Sequence, residues 1–121
     1  MFLDWNSQPE THRMRAGASR HVASGQHSSV VRVVTDPGAE FDGRPHRHPH
    51  EQWVVVTAGE LTLSCGEKKH TLGAGDVLFV PGGQWHAALG VGEQGAVYLE
   101  FSAPPRLDLL PGSVLPSALE F

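Results

Sequence analysis

The chain has 121 residues, a formal net charge of −4 and a single cysteine, Cys65. That length suits one domain rather than two, and the lone cysteine rules out an internal disulfide. The mild acidity and the lack of any Lys/Arg cluster argue against nucleic acid as a partner, and no apolar run reaches the length of a membrane span.

The first residues, Met1-Phe2-Leu3-Asp4-Trp5, have no basic region and no long apolar core. No signal peptide is therefore expected, and a cytoplasmic location is. Residues 1–17 read as an arm in which Phe2 and Trp5 dock on the body of the protein or on a second subunit. A short strand is predicted over 18–25, and a better one, rich in β-branched residues, over Ser29–Thr35. Asp36-Pro37-Gly38 is a turn signal. Gln52–Thr57 reads as a buried strand, Ala58-Gly59-Glu60 as its turn, and Leu61–Cys65 as a half-buried strand with Cys65 packed as a small core residue. Further strands are predicted over Lys69–Leu72, Val77–Val80 and Ala96–Phe101, with glycine turns between them. Residues 103–121 form a proline-rich tail with one short helical turn, wrapping the body or a partner. No segment of helical length shows a 3.6-residue period, so the chain is predicted all-β, a sandwich or jelly roll with a core over about 28–102. His12, His21, His27 and His70 read as surface residues.

One stretch stands out, Gly43-Arg44-Pro45-His46-Arg47-His48-Pro49-His50-Glu51-Gln52-Trp53. In extended backbone, residues two apart share a face, so His46 and His48 project side by side, a presentation suited to a divalent metal. Alone, the run fits an exposed loop equally well. Gln52 has the parity of His48, with Pro49 between them. Trp53 and Trp85 each sit beside a candidate ligand with opposite parity, which turns their rings away from the metal and toward core packing or a subunit interface.

Two motifs carry a family resemblance. His46, His48 and Gly59 stand at the spacing of the first cupin motif, with Gln52 at the position of its glutamate. Gly75-Asp76-Val77-Leu78-Phe79-Val80-Pro81-Gly82-Gly83-Gln84-Trp85-His86 matches the second, except that Gly90 replaces its asparagine. The chain thus resembles a small single-domain cupin. The resemblance implies a jelly-roll barrel of about six to ten strands. It also implies a homodimer, and one divalent transition metal per chain (zinc, iron, manganese or nickel) held by His46, His48, Gln52 and His86. In a rival register a bulge would present Glu51 instead. A neutral Gln52 would leave the full metal charge on the site and favour Lewis-acid chemistry. His50 is a lesser candidate: it reads first as a partly exposed loop residue, and otherwise as a supporting donor or substrate contact.

Within the family the chain is similar to the cupins that open the ring of unsaturated uronates. Those carry an Asp-x-Phe-Ser-Pro-x-Arg-type segment that supplies a catalytic acid and a substrate-binding arginine. Here the segment reads Leu99-Glu100-Phe101-Ser102-Ala103-Pro104-Pro105-Arg106. Leu99 stands at the aspartate position, and Glu100 is expected to face the wrong way. Arg106 reads either as a binder of an anionic substrate or as a solvated arginine. No catalytic residue is assigned. Three functions remain open: a metal-dependent lyase, isomerase or cyclase acting on a small oxygenated substrate; a metal-dependent dioxygenase; and a non-catalytic small-molecule-binding module.

Overall fold

The computed structural model describes residues 1–11 and 15–121. His12 and part of the N-terminal arm lie outside the described residues. Among the described residues six strands form, β1 (Ala18–Ser24), β2 (Ser29–Thr35), β3 (Glu51–Cys65), β4 (Lys68–Gly73), β5 (Val77–Val80) and β6 (His86–Ala103), with 3-10 turns at Trp5–Ser7 and Leu107–Leu109. All pairings are antiparallel, in the order β1-β2-β6-β3-β4, and β5 also pairs with β3.

The two long strands, β3 and β6, pair from Glu51↔Ala103 to Cys65↔His86 and form the seam of the barrel. The turn predicted at Ala58-Gly59-Glu60 is not a chain reversal. β3 runs straight through it, with register shifts between Val56 and Ala58, Gly59 and Leu61, and Thr62 and Leu63. These shifts have a purpose that burial reveals. Before them the even residues Gln52, Val54 and Val56 face inward; after them the odd residues Leu61 and Leu63 do. A single slipped residue exchanges the two faces of a strand, so the bulges let one strand serve the interior along its whole length. Gly59 makes this possible. Its φ is +71°, and a Cβ there would lie 2.1 Å from the Gly95 carbonyl oxygen, so only glycine fits. β6 also begins ten residues earlier than predicted, because Gly90, Gly92 and Gly95 mask its first half.

The core packs Val22, Val31, Val33, Val54, Val56, Leu61, Leu63, Leu72, Tyr98 and Leu109. Trp53 and Trp85 do not join it, contrary to the core-packing expectation. Trp53 is 46% exposed and lies on the outer face in a cross-strand row with Phe79 and Phe101, its ring centroid 4.5 Å from that of Phe79. Trp85 is exposed under the Arg47 guanidinium, 4.6 Å from its ring centre. Cys65 is only half-buried. His27 is exposed as expected, whereas His21 and His70 are half-buried on their strands.

The tail wraps back over the barrel. Arg47 and Glu120 exchange backbone hydrogen bonds of 2.9 Å, and their side chains meet at 2.7 Å. The Phe121 ring lies 6.1 Å from that of His46.

Candidate metal centre

The two motifs meet through backbone. His46 and His86 exchange N–H···O bonds of 2.9 Å, and Gly83 N donates to His48 O at 2.8 Å. Gly82 lies so close to the first motif that a Cβ would stand 2.3 Å from the Pro49 carbonyl oxygen. The glycine turn is therefore what lets the second histidine segment lie against the first. His46, His48 and His86 converge, with ligand atoms within 4.8 Å of one another. Their ring centroids are 4.4 Å apart for His46–His86 and 5.0 Å for His48–His86.

Gln52 joins this cluster and Glu51 does not. Glu51 is exposed, while Gln52 is buried with its Oε1 3.0 Å from His48 Nε2. His50 stays outside the cavity lining; its carbonyl accepts from His48 Nδ1 at 3.0 Å. Its contribution is thus through backbone, fixing the tautomer of its neighbour. His86 Nδ1 likewise donates to Gln84 O at 2.8 Å.

These bonds decide where the lone pairs point. With Nδ1 carrying the proton, Nε2 of both His48 and His86 is bare. His86 Nε2 is buried without a partner. His48 Nε2 faces an amide oxygen, also a lone pair. Gln52 is oriented that way because its Nε2 donates to Glu100 Oε2 at 2.6 Å. A proton on His48 would relieve the conflict, but burial, followed by nearby cationic groups led by Arg106, lowers the His48 pKa to about 4. Burial and then His86 and His48 lower that of His46 to about 4 as well. What remains is a set of imidazole nitrogens and an amide oxygen that converge, the kind of donor set a divalent cation satisfies.

The same shifts make a prediction for metal-free protein. Both folded pKa values lie below the ordinary 6.5, so below that pH the unfolded chain binds more protons. Stability should be greatest above about pH 6.5 and fall as pH drops toward 4, by up to about 1.4 kcal/mol per pH unit for each histidine. Urea midpoints measured across this range check it; a flat profile would contradict it.

Glu100 is the residue that sequence reasoning turned the wrong way. It pairs across the strands with Val54 and Val31, both inward-facing, and lines the cavity. Leu99, expected above at the aspartate position of the uronate-opening cupins, pairs with Val55 and Arg32 and takes the opposite face. The cavity, about 90 Å³, also receives Arg15, Arg20, Tyr98, Ser102 and Leu119. Arg106 is 5% exposed, so it is not a solvated arginine. It lines the cavity with its guanidinium held by Asp108, Nε to Oδ1 and Nη2 to Oδ2 both at 2.8 Å.

Residues 31–102 match the family model of the cupin domain. The chain is a cupin. Among solved structures, this cupin is similar to KdgF from Halomonas sp., with 26% identity, a TM-score of 0.76 and coverage of 91% of this chain and 98% of that one. An RmlC-like cupin from Shewanella frigidimarina gives 26% identity and a TM-score of 0.75 over 90% of this chain and 95% of its own. The polyketide cyclase RemF from Streptomyces resistomycificus shares 14% identity at a TM-score of 0.69, over 85% and 78% of the two chains, a likeness of fold alone. No curated protein matches the sequence.

Proposed function

We propose that this cupin binds one divalent transition metal through His46, His48, Gln52 and His86, and acts as a lyase, isomerase or cyclase on a small oxygenated substrate. The observation that carries the reading is the convergence of uncompensated lone pairs on His86 Nε2, His48 Nε2 and Gln52 Oε1. When bound, such a metal supplies Lewis acidity toward a carbonyl or hydroxyl oxygen.

The chain's own residues select what enters. Among the described residues, Arg15 and Arg20 line the cavity against one carboxylate, Glu100, a charge pattern that favours an anionic or oxygen-rich substrate. Arg106 is committed to Asp108 and acts as a fixed wall. Glu100 is a carboxylate on the cavity wall beside Gln52, placed to hold or move a proton. It takes the part that the family's aspartate position, here Leu99, cannot. Unsaturated uronates, the substrates of the ring-opening cupins this chain resembles, fit that charge pattern. A homodimer would bury the outer row of Trp53, Phe79 and Phe101.

Elemental mass spectrometry of untagged protein tests the reading, with metal-free and reloaded samples alongside. About one zinc, nickel, manganese or iron per chain is expected. Zinc or nickel with turnover of uronates or keto sugars upholds the Lewis-acid class. Iron with substrate-dependent oxygen uptake would replace it with a dioxygenase. No metal after reloading would leave a binding module.

A further inference from the structure

Outside the histidine motifs, Glu100 is an ionisable side chain that touches the cluster itself. Glu100 is brought to the barrel interior by β6, at the register position opposite Val54, and its Oε2 accepts from Gln52 Nε2 at 2.6 Å. A primary amide has two ends of nearly equal size. Rotating the Gln52 terminus by half a turn would send its NH₂ toward His48 Nε2 and its oxygen toward Glu100. The first contact would become a good hydrogen bond, satisfied without any cation. The second would set an amide oxygen against a carboxylate oxygen, acceptor against acceptor. The orientation present is the opposite one: Oε1 faces the His48 lone pair at 3.0 Å, and the NH₂ faces the carboxylate. A hydrogen bond to a charged acceptor outweighs one to a neutral ring nitrogen. Glu100 therefore decides which end of Gln52 looks into the cluster.

The geometry points to Glu100 as the positioning residue that holds Gln52 in its metal-ready orientation and places a negative charge one hydrogen bond behind the amide ligand. This rests on the metal reading above. It also changes the charge expected at the site. A carboxylate polarising the amide through N–H makes Oε1 a stronger donor. The chain thus keeps the acidic group that the first motif normally provides, but moves it to β6 and couples it through an amide. The amide and the acid form one unit split between two strands.

The test uses titration calorimetry with Zn²⁺, Mn²⁺ and Ni²⁺ on metal-free full-length protein. The samples are the parent, Glu100→Gln, and the exchange variant Gln52→Glu/Glu100→Gln. Glu100→Gln keeps the shape but no longer dictates the amide's direction, and should weaken binding by about 10–100-fold. The exchange variant restores one carboxylate and one amide in hydrogen-bond contact, and should recover parental affinity or better. Nitrogen-15 spectra of metal-free protein provide a second readout: the Gln52 side-chain amide should lie downfield in the parent and move upfield in Glu100→Gln. If the parent binds and Glu100→Gln binds within about threefold of it, the positioning role is overturned alone. The same holds if the exchange variant is no tighter than Glu100→Gln. If the parent takes up none of the three ions, the metal reading itself falls and this role falls with it.

Discussion

The His48→Ala, His86→Ala double variant should fold and bind no divalent metal. It removes two of the four donors. Structural zinc sites with four protein ligands are worth about 10–16 kcal/mol, so losing half the set should weaken binding on the order of 10⁴-fold. Folding should survive because the histidines line a cavity rather than the core; Val54, Val56, Leu61 and Leu63 pack without them. Removing His48 also removes the facing lone pairs at 3.0 Å that burden the metal-free protein. The variant's urea midpoint should therefore stay near that of the metal-free parent, and metal should no longer raise it. Metal analysis and paired denaturation curves check both statements. Unchanged metal content would remove the ligand assignment.

Arg106→Ala should have the largest effect on stability. Arg106 and Asp108 are each only 6% exposed at the side chain and form a bidentate pair. Removing one partner of such a pair strands a buried charge, at a cost of about 3–5 kcal/mol. Burial alone would raise the Asp108 pKa, but hydrogen bonds from Arg106 and Ala118 N more than offset it and hold the carboxyl at about 2. A depressed carboxylate contributes stability that is present above the ordinary 3.8 and lost as pH falls toward 2. The gap between parent and variant should therefore narrow over that interval. Arg106→Leu with Asp108→Leu should recover much of the deficit, because no charge is left unpaired. A single variant within about 1 kcal/mol of the parent at neutral pH would contradict this account.

The histidine pair, the glycine turns and the strand-rich character were legible because each follows from a local rule: side-chain alternation, turn chemistry, β-branched runs. Gln52 was legible through spacing, even across Pro49. Glu100 was not, and its strand explains why. Of the two faces of 97–102, the one bearing Val97, Leu99 and Phe101 is the more apolar, so a hydrophobic-inside reading buries it. The structure turns it outward, leaving Phe101 40% exposed, and gives the barrel Tyr98, Glu100 and Ser102. A barrel built around a polar cavity inverts the usual rule at its open end. Trp53 lies on that outer face, turned away from the histidines as its parity implies, but it packs on Phe79 at the surface rather than in the core. Arg106 had a visible clue, an aspartate two residues on, but only tertiary burial turns such a pair into a fixed bidentate contact. The run through Gly59 was hidden because a bulge glycine and a turn glycine look alike in sequence.

The exposed indoles have an optical consequence. Of the three tryptophans, Trp5 is half-buried in the N-terminal 3-10 turn and Trp53 and Trp85 lie on the outer surface. None lines the cavity. The single tyrosine, Tyr98, is buried among the valines and faces the same interior as the histidines. Tryptophan emission will already be that of a solvent-exposed ring in the native state and will change little when the interior is filled. The chromophore that reports on the barrel is the phenol.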